Sequence, residues 1–239
     1  MDGYGQFCPI ALGAEIFAQR WTPLILREVL LGSHRFSEIQ RGLPRISRNL
    51  LVQRLETLEE AGIIERRRRP DGRGFDYYPT IAGEELRPVV HALGVWGYKW
   101  TARDLKENNL DAGLLMWFLR RRVRTEELPP EKFVTQFDLR AGTSSTVIAE
   151  EQSFWLVLDK PDVELCLSDP GFEIGLVVRA EVSALTKVFL GTVSLPQALR
   201  NGTVELSGRR DLRRGFSAWL GISAFAPTLP APRQVAVRA

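Results

Sequence analysis

The segment from Ile63 to Thr80 constrains this chain more than any other. The runs 63–69 and 75–80 flank Pro70-Asp71-Gly72-Arg73-Gly74, a turn composition that predicts two strands joined as a hairpin. Arg66, Arg67, Arg68, Arg69 and Arg73 make that hairpin strongly basic. Such a segment reads either as a phosphate-binding surface or as a solvated hairpin with no partner, and the residues around it decide.

What precedes the hairpin is helical. Pro9 opens one helix, with Ile10, Ala14, Phe17 and Ala18 at helical spacing, and Pro23 opens a second that Gly32 ends. Phe36, Ile39 and Leu43 form the buried stripe of a short third helix closed by Pro44. Ser47 is a natural N-cap for a fourth, whose inner face carries Leu51, Leu55 and Leu58 and which Gly62 stops. Its opposite face begins Arg48, Asn49, Val52, Gln53, Glu56, side chains whose forked donors and acceptors suit guanine and adenine edges in a major groove. On a lone helix that face would be ordinary solvated surface. A long amphipathic helix is expected from Ile81 to Arg103. Short helix, turn, polar-faced helix and basic hairpin together spell a winged helix-turn-helix, with Arg45, Ser47, Arg48, Asn49 and Gln53 at the groove. The wing arginines Arg66, Arg67, Arg68, Arg69 and Arg73 then fall on the flanking backbone of double-stranded DNA. His34 reads as a solvated turn histidine or a phosphate contact.

Residues 7–98 resemble the HxlR-type bacterial transcriptional regulators. The likeness rests on Cys8-Pro9, Arg20-Trp21, Ile25-Leu26-Arg27-Glu28, Arg35-Phe36-Ser37-Glu38, Ile46-Ser47, Gln53-Arg54-Leu55 and Tyr77-Tyr78-Pro79-Thr80-Ile81-Ala82-Gly83. The resemblance implies a homodimer, built through the first and last helices of this region, that sets two recognition helices on an inverted-repeat operator. It also matches Cys8 to a cysteine that senses oxidants in some members. A free cysteine is more often a small buried hydrophobe.

Composition sets the outer limits. With 44% hydrophobic residues the chain has enough apolar content for packed cores. Its longest apolar stretch, 112–119, is far short of the roughly 20 residues of a spanning helix, so no membrane insertion is expected. The N-terminus lacks the basic and apolar regions of a secretory leader, which predicts a cytoplasmic protein. Two cysteines and two histidines argue against a disulfide framework or a metal site. There is no Walker loop, no Gly-x-Gly-x-x-Gly, no His-Glu-x-x-His and no Gly-x-Ser-x-Gly, so neither enzymatic activity nor a cofactor is expected.

The second half changes character. A helix is expected over 110–124, with basic residues at its C-terminus complementing the dipole. After Pro129-Pro130 the period becomes two. Phe133, Phe137 and Leu139 mark one strand and Trp155–Leu158 an interior one. Val163–Leu167 and Ile174–Val182 read as a hairpin turned at Asp169-Pro170-Gly171. Helices over 183–190 and 194–201, a short strand 203–206 and a last helix with Leu212, Phe216, Trp219 and Leu220 complete an α+β pattern, a mixed or antiparallel sheet covered by helices.

This region, about 115–222, resembles a sterol-carrier-protein-type lipid-binding domain. The residues concerned are Phe154–Leu158, Val163–Leu167, Asp169–Glu173, Leu185–Gly191 and Ala198–Gly202. The resemblance implies an apolar tunnel for a hydrophobic small molecule or lipid, and Leu185, Phe189, Leu199, Phe216, Trp219 and Leu220 are its candidate lining on the apolar faces of the final helices. The expected organisation is a DNA-binding and dimerisation domain over 1–103, an effector-binding domain over 104–226 and a loose tail over 227–239. The resulting expectation is a homodimeric DNA-binding regulator that senses an apolar effector. The alternatives are a lipid carrier that uses the winged helix for protein contacts, and an oxidant sensor acting through Cys8.

Overall fold

The computed structural model describes residues 3–101, 110–140 and 151–226. The chain forms two compact units, Met1–Val95 and Trp96–Ala239. The expected junction at 103/104 and the expected tail 227–239 lie outside the described residues.

In the first unit α1 (Pro9–Phe17), α2 (Thr22–Leu30), α3 (Phe36–Arg41) and α4 (Arg48–Glu60) precede β1 (Ile64–Arg68) and β2 (Phe75–Pro79). Ser47 caps α4, its hydroxyl accepting the Leu50 N–H at 3.3 Å. Gly62 follows α4 with φ +69°, a backbone state open to glycine at little cost, and lets the chain turn into β1. Ile25, Leu26, Val29, Ile39, Leu43, Leu51, Leu55, Leu58 and Ile64 form the core that holds α2, α3, α4 and the hairpin together. β1 and β2 pair antiparallel with Arg66 opposite Tyr77 and Arg68 opposite Phe75, as the turn chemistry requires.

The single helix expected over 81–103 is instead two, α5 (Ile81–Glu85) and α6 (Arg87–Thr101), broken at Leu86; residues 102 and 103 lie outside the described part. Pro88 explains the break: it has no N–H to give the Glu84 carbonyl one turn back, and a proline is tolerated only in the first turn of a new helix.

The second unit contains α7 (Ala112–Arg122), a single 3-10 turn at Thr125–Glu127, β3 (Phe133–Arg140), β4 (Glu151–Asp159), β5 (Asp162–Cys166), β6 (Ile174–Glu181), α8 (Val182–Phe189), α9 (Leu195–Arg200), β7 (Val204–Gly208) and α10 (Arg210–Trp219). Its sheet has the order β5-β4-β3-β6-β7, with β3 and β6 parallel and every other pair antiparallel. This is an α+β unit with a mixed sheet. The expected hairpin between 163–167 and 174–182 does not form. β5 pairs with β4 across the two-residue turn Lys160-Pro161, and β6 pairs instead with β3. A two-residue connection makes β4 and β5 the tighter hairpin, whereas the seven residues 167–173 are long enough to carry the chain past it. Phe137, Leu156, Leu176 and Val178 on one sheet face pack with Trp117, Leu185, Phe216 and Trp219 from α7, α8 and α10.

Candidate nucleic-acid interface

The polar face expected on α4 is present and open. Arg48, Asn49, Val52, Gln53 and Glu56 are all exposed on the side away from Leu51, Leu55 and Leu58. The Arg48 guanidinium carbon lies 5.0 Å from the centre of the Phe36 ring, so the first helix of the turn motif gives the arginine a platform. Arg54, on the same helix, is spent internally: it donates to Gln19 Oε1 at 2.6 Å and to the Arg20 carbonyl at 3.3 Å, which ties α4 to the turn before α2. Arg45 is exposed in the turn just before Ser47.

The five wing arginines are not equivalent. Arg69 braces the tip, with Asp71 at 2.8 Å and Asp76 at 3.9 Å, and it donates to the Arg73 carbonyl. Arg66 lies over Phe75 and 3.5 Å from Glu59, while Arg67 pairs with Glu65 and lies over Tyr78. Arg68 and Arg73 project with side chains that make no ion pair among the described residues. The cross-strand register puts Arg66 and Arg68 on one side of the ribbon and Arg67 on the other, so both sides are basic.

The hairpin is fixed to the helices through His34. Its Nδ1 is 2.9 Å from the Tyr77 carbonyl, its own carbonyl accepts the Tyr77 N–H at 2.8 Å, and its ring stacks on Tyr78 at 4.2 Å. The reading of a solvated turn histidine is therefore corrected: His34 joins the start of α3 to β2. Glu38 Oε2 accepts the His34 and Arg35 N–H groups at 3.1 Å each and so closes the N-terminus of α3. Burial raises the Tyr77 phenol above its ordinary pKa, partly countered by Arg66, so that tyrosine stays neutral across the physiological range. Cys8 is half-buried at the N-cap of α1. Among the described residues no three His, Cys, Asp or Glu side chains come together as a metal site.

In the second unit Leu185, Phe216 and Trp219 are fully enclosed in the core, Phe189 is buried at its margin, and Leu199 is half-buried. Leu220 alone of the six candidates lines a cleft of about 430 Å³, whose wall also includes Val188, Val193, Leu195, Pro196, Ile222 and the two arginines Arg122 and Arg124. Arg122 donates to the Ile222 carbonyl and Arg124 to the Ser217 carbonyl, and neither has a carboxylate partner among the described residues. Sequence periodicity missed these lining residues because half of them come from the loop 191–194 and the chain after α10, where no repeat marks an inward face.

Comparison with known proteins decides the family. The HxlR-like helix-turn-helix family model matches residues 16–105. YvaP of Bacillus subtilis, named as an HTH-type transcriptional regulator, is 34% identical over 97 residues, which is 90% of its length and 40% of this chain. The chain belongs to the HxlR-like helix-turn-helix family. A Synechocystis HTH-type regulator, sll1512, is 33% identical over 110 residues, covering 82% of that protein and 46% of this chain. Rv3095 of Mycobacterium tuberculosis is 37% identical over 90 residues, which is 56% of its length and 37% of this chain. This HxlR-like chain is thus an HTH-type transcriptional regulator in its N-terminal part, and the family implies DNA binding. No helix among the described residues is long and apolar enough to cross a membrane.

Proposed function

We propose that the protein is a homodimeric repressor or activator that reads an inverted-repeat operator through α4 and grips the flanking phosphates with its wing. The observation that carries this reading is the open Arg48-Asn49-Gln53 face of α4 beside a hairpin whose Arg68 and Arg73 make no ion pair among the described residues. Bidentate side chains in the first turns of a groove-docked helix supply base discrimination, whereas the wing arginines supply affinity that is blind to sequence.

A second copy is the natural cover for two apolar surfaces. Phe7 and Ile10 at the start of the chain are 96% and 82% exposed, and α1 buries no residue. Val89, Leu93, Trp96 and Trp100 are all exposed on α6 at intervals of four, three and four, the seam spacing of paired helices.

The second unit is read as the effector domain of a sterol-carrier type. Its cleft offers an apolar wall and two guanidinium groups, which favours an apolar molecule with an anionic head. Occupancy would shift operator affinity, and by linkage operator would shift ligand affinity by the same factor. The protein is read as cytoplasmic and non-enzymatic.

Selection from a random duplex pool at moderate salt tests the reading. Enrichment of an inverted repeat with half-sites about 10 base pairs apart supports regulator and dimer together. Retention without enrichment overturns operator reading and leaves a merely basic surface.

A further inference from the structure

The outer face of α10 is a second basic surface, beyond the residues that the family model matches. Leu212, Phe216 and Trp219 bury one side of the helix. Arg210, Arg213 and Arg214 are exposed on the other, at the i, i+3, i+4 spacing that places them together. Arg209, just before them, is neutralised by Asp211 at 2.7 Å and Glu131 at 3.3 Å. The side chains of Arg210, Arg213 and Arg214 make no ion pair or hydrogen bond among the described residues.

This placement works against the helix itself. Arg210 occupies the first helical position, where the dipole disfavours a cation, and Arg210 and Arg214 repel each other one turn apart. From 104 onward basic and acidic residues are equal in number, so the stripe is a segregation of charge and not the overflow of a basic domain. An anion on this face would offset both costs.

We infer that Arg210, Arg213 and Arg214 form a second contact for the phosphate backbone of duplex DNA, outside the stretch held by the winged helix. This rests on the DNA-binding reading above. Charge complementarity favours the duplex because it is the polyanion that the family implies for this chain. Once the winged helix is bound, a tethered second contact closes at high effective concentration, so weak individual phosphate contacts suffice. The contact is blind to base sequence and lengthens the footprint.

The test uses the full chain, a random-sequence duplex of about 40 base pairs and fluorescence anisotropy between about 50 and 200 mM salt. Three proteins are compared: wild type, R210Q/R213Q/R214Q and the wing variant R68Q/R73Q. Glutamine keeps helix propensity, and unchanged circular dichroism and melting confirm that each variant is folded. The stripe variant is expected to lower the slope of log affinity against log salt by about 2 to 3, as the loss of three phosphate contacts requires. An unchanged slope for the stripe variant, with a reduced slope for the wing variant, overturns the inference and leaves the regulator reading intact. Failure of the wild type to retain any duplex removes the regulator reading and this contact with it. Binding to phosphatidylserine vesicles that depends on the stripe, with DNA binding unaffected, overturns it in favour of an anionic lipid surface.

Discussion

The Arg48 guanidinium carbon stands 5.0 Å above the Phe36 ring, which joins the first residue of α4 to the first residue of α3. A cation over an aromatic face at an exposed site gains about 0.5–1 kcal/mol, and it narrows the rotamers of a long side chain before DNA arrives. Arg48→Ala is expected to cost about 1–3 kcal/mol on the selected operator and to relax base preference at one position per half-site. Phe36→Leu keeps the buried volume of α3 largely filled and removes the platform. It is expected to weaken operator binding by less than Arg48→Ala does, with base preference retained. Competition binding on single-base operator variants distinguishes the two. Equal losses on operator and random duplex for Arg48→Ala would contradict base reading.

The wing makes a different prediction for each arginine. Arg68 and Arg73 make no ion pairs among the described residues, so replacing either with Ala is expected to weaken all duplexes alike and to lower the salt slope by about 1. Arg69 holds Asp71 and Asp76 at the tip. Arg69→Ala is expected to loosen the turn, seen as faster amide exchange at Gly72 and Arg73, whose N–H groups are held by the Arg69 carbonyl and Asp71. A salt titration of the three variants alongside hydrogen exchange separates contact from brace.

The elements of the first unit were legible because local chemistry and tertiary demand agree there. Ser47 and Gly62 punctuate α4 where the packing of Leu51, Leu55 and Leu58 needs it. The break at Leu86 is hidden in the sequence because the apolar spacing runs on through Pro88. Strand partners in the second unit were harder to read. Alternation tells which way each side chain points but not which strand lies beside which, so the 163–167 and 174–181 segments looked like neighbours when both in fact flank the β3-β4 pair. The division of labour among the wing arginines, and the seating of Arg48 on Phe36, depend on side-chain reach and leave no mark on periodicity.

The exposed seam of α6 predicts the oligomeric state. Val89, Leu93, Trp96 and Trp100 would leave a row of large apolar groups in water on a monomer. Leu93→Glu places a charge in the middle of that row and faces its own copy in a two-fold dimer. Sedimentation velocity is expected to give a dimer for the parent protein and a monomer for Leu93→Glu, with helix content unchanged. Operator affinity falls with it, because half of the paired contact is lost. A variant that remains dimeric would move the interface off α6.

The cleft predicts a coupled pair of measurements. Val193 is half-buried in its wall, on the loop between α8 and α9, where it packs against the margin of the core. Val193→Trp is expected to fill part of the roughly 430 Å³, with unchanged circular dichroism showing that the core behind it is kept. With a medium-chain fatty acid as probe, an apolar body and an anionic head for Arg122 and Arg124, the parent protein is expected to melt higher in its presence. Ligand at one hundred times its dissociation constant contributes about 2.7 kcal/mol to the folded state. Val193→Trp is expected to melt like the unliganded parent and to ignore the probe. Reciprocity then demands that the probe change operator affinity in the parent protein by the factor with which operator changes probe affinity, and in the variant by none. A probe that raises the melting temperature of both proteins equally binds somewhere else. One that stabilises the parent but leaves its operator affinity unchanged makes the second unit a carrier and not a sensor.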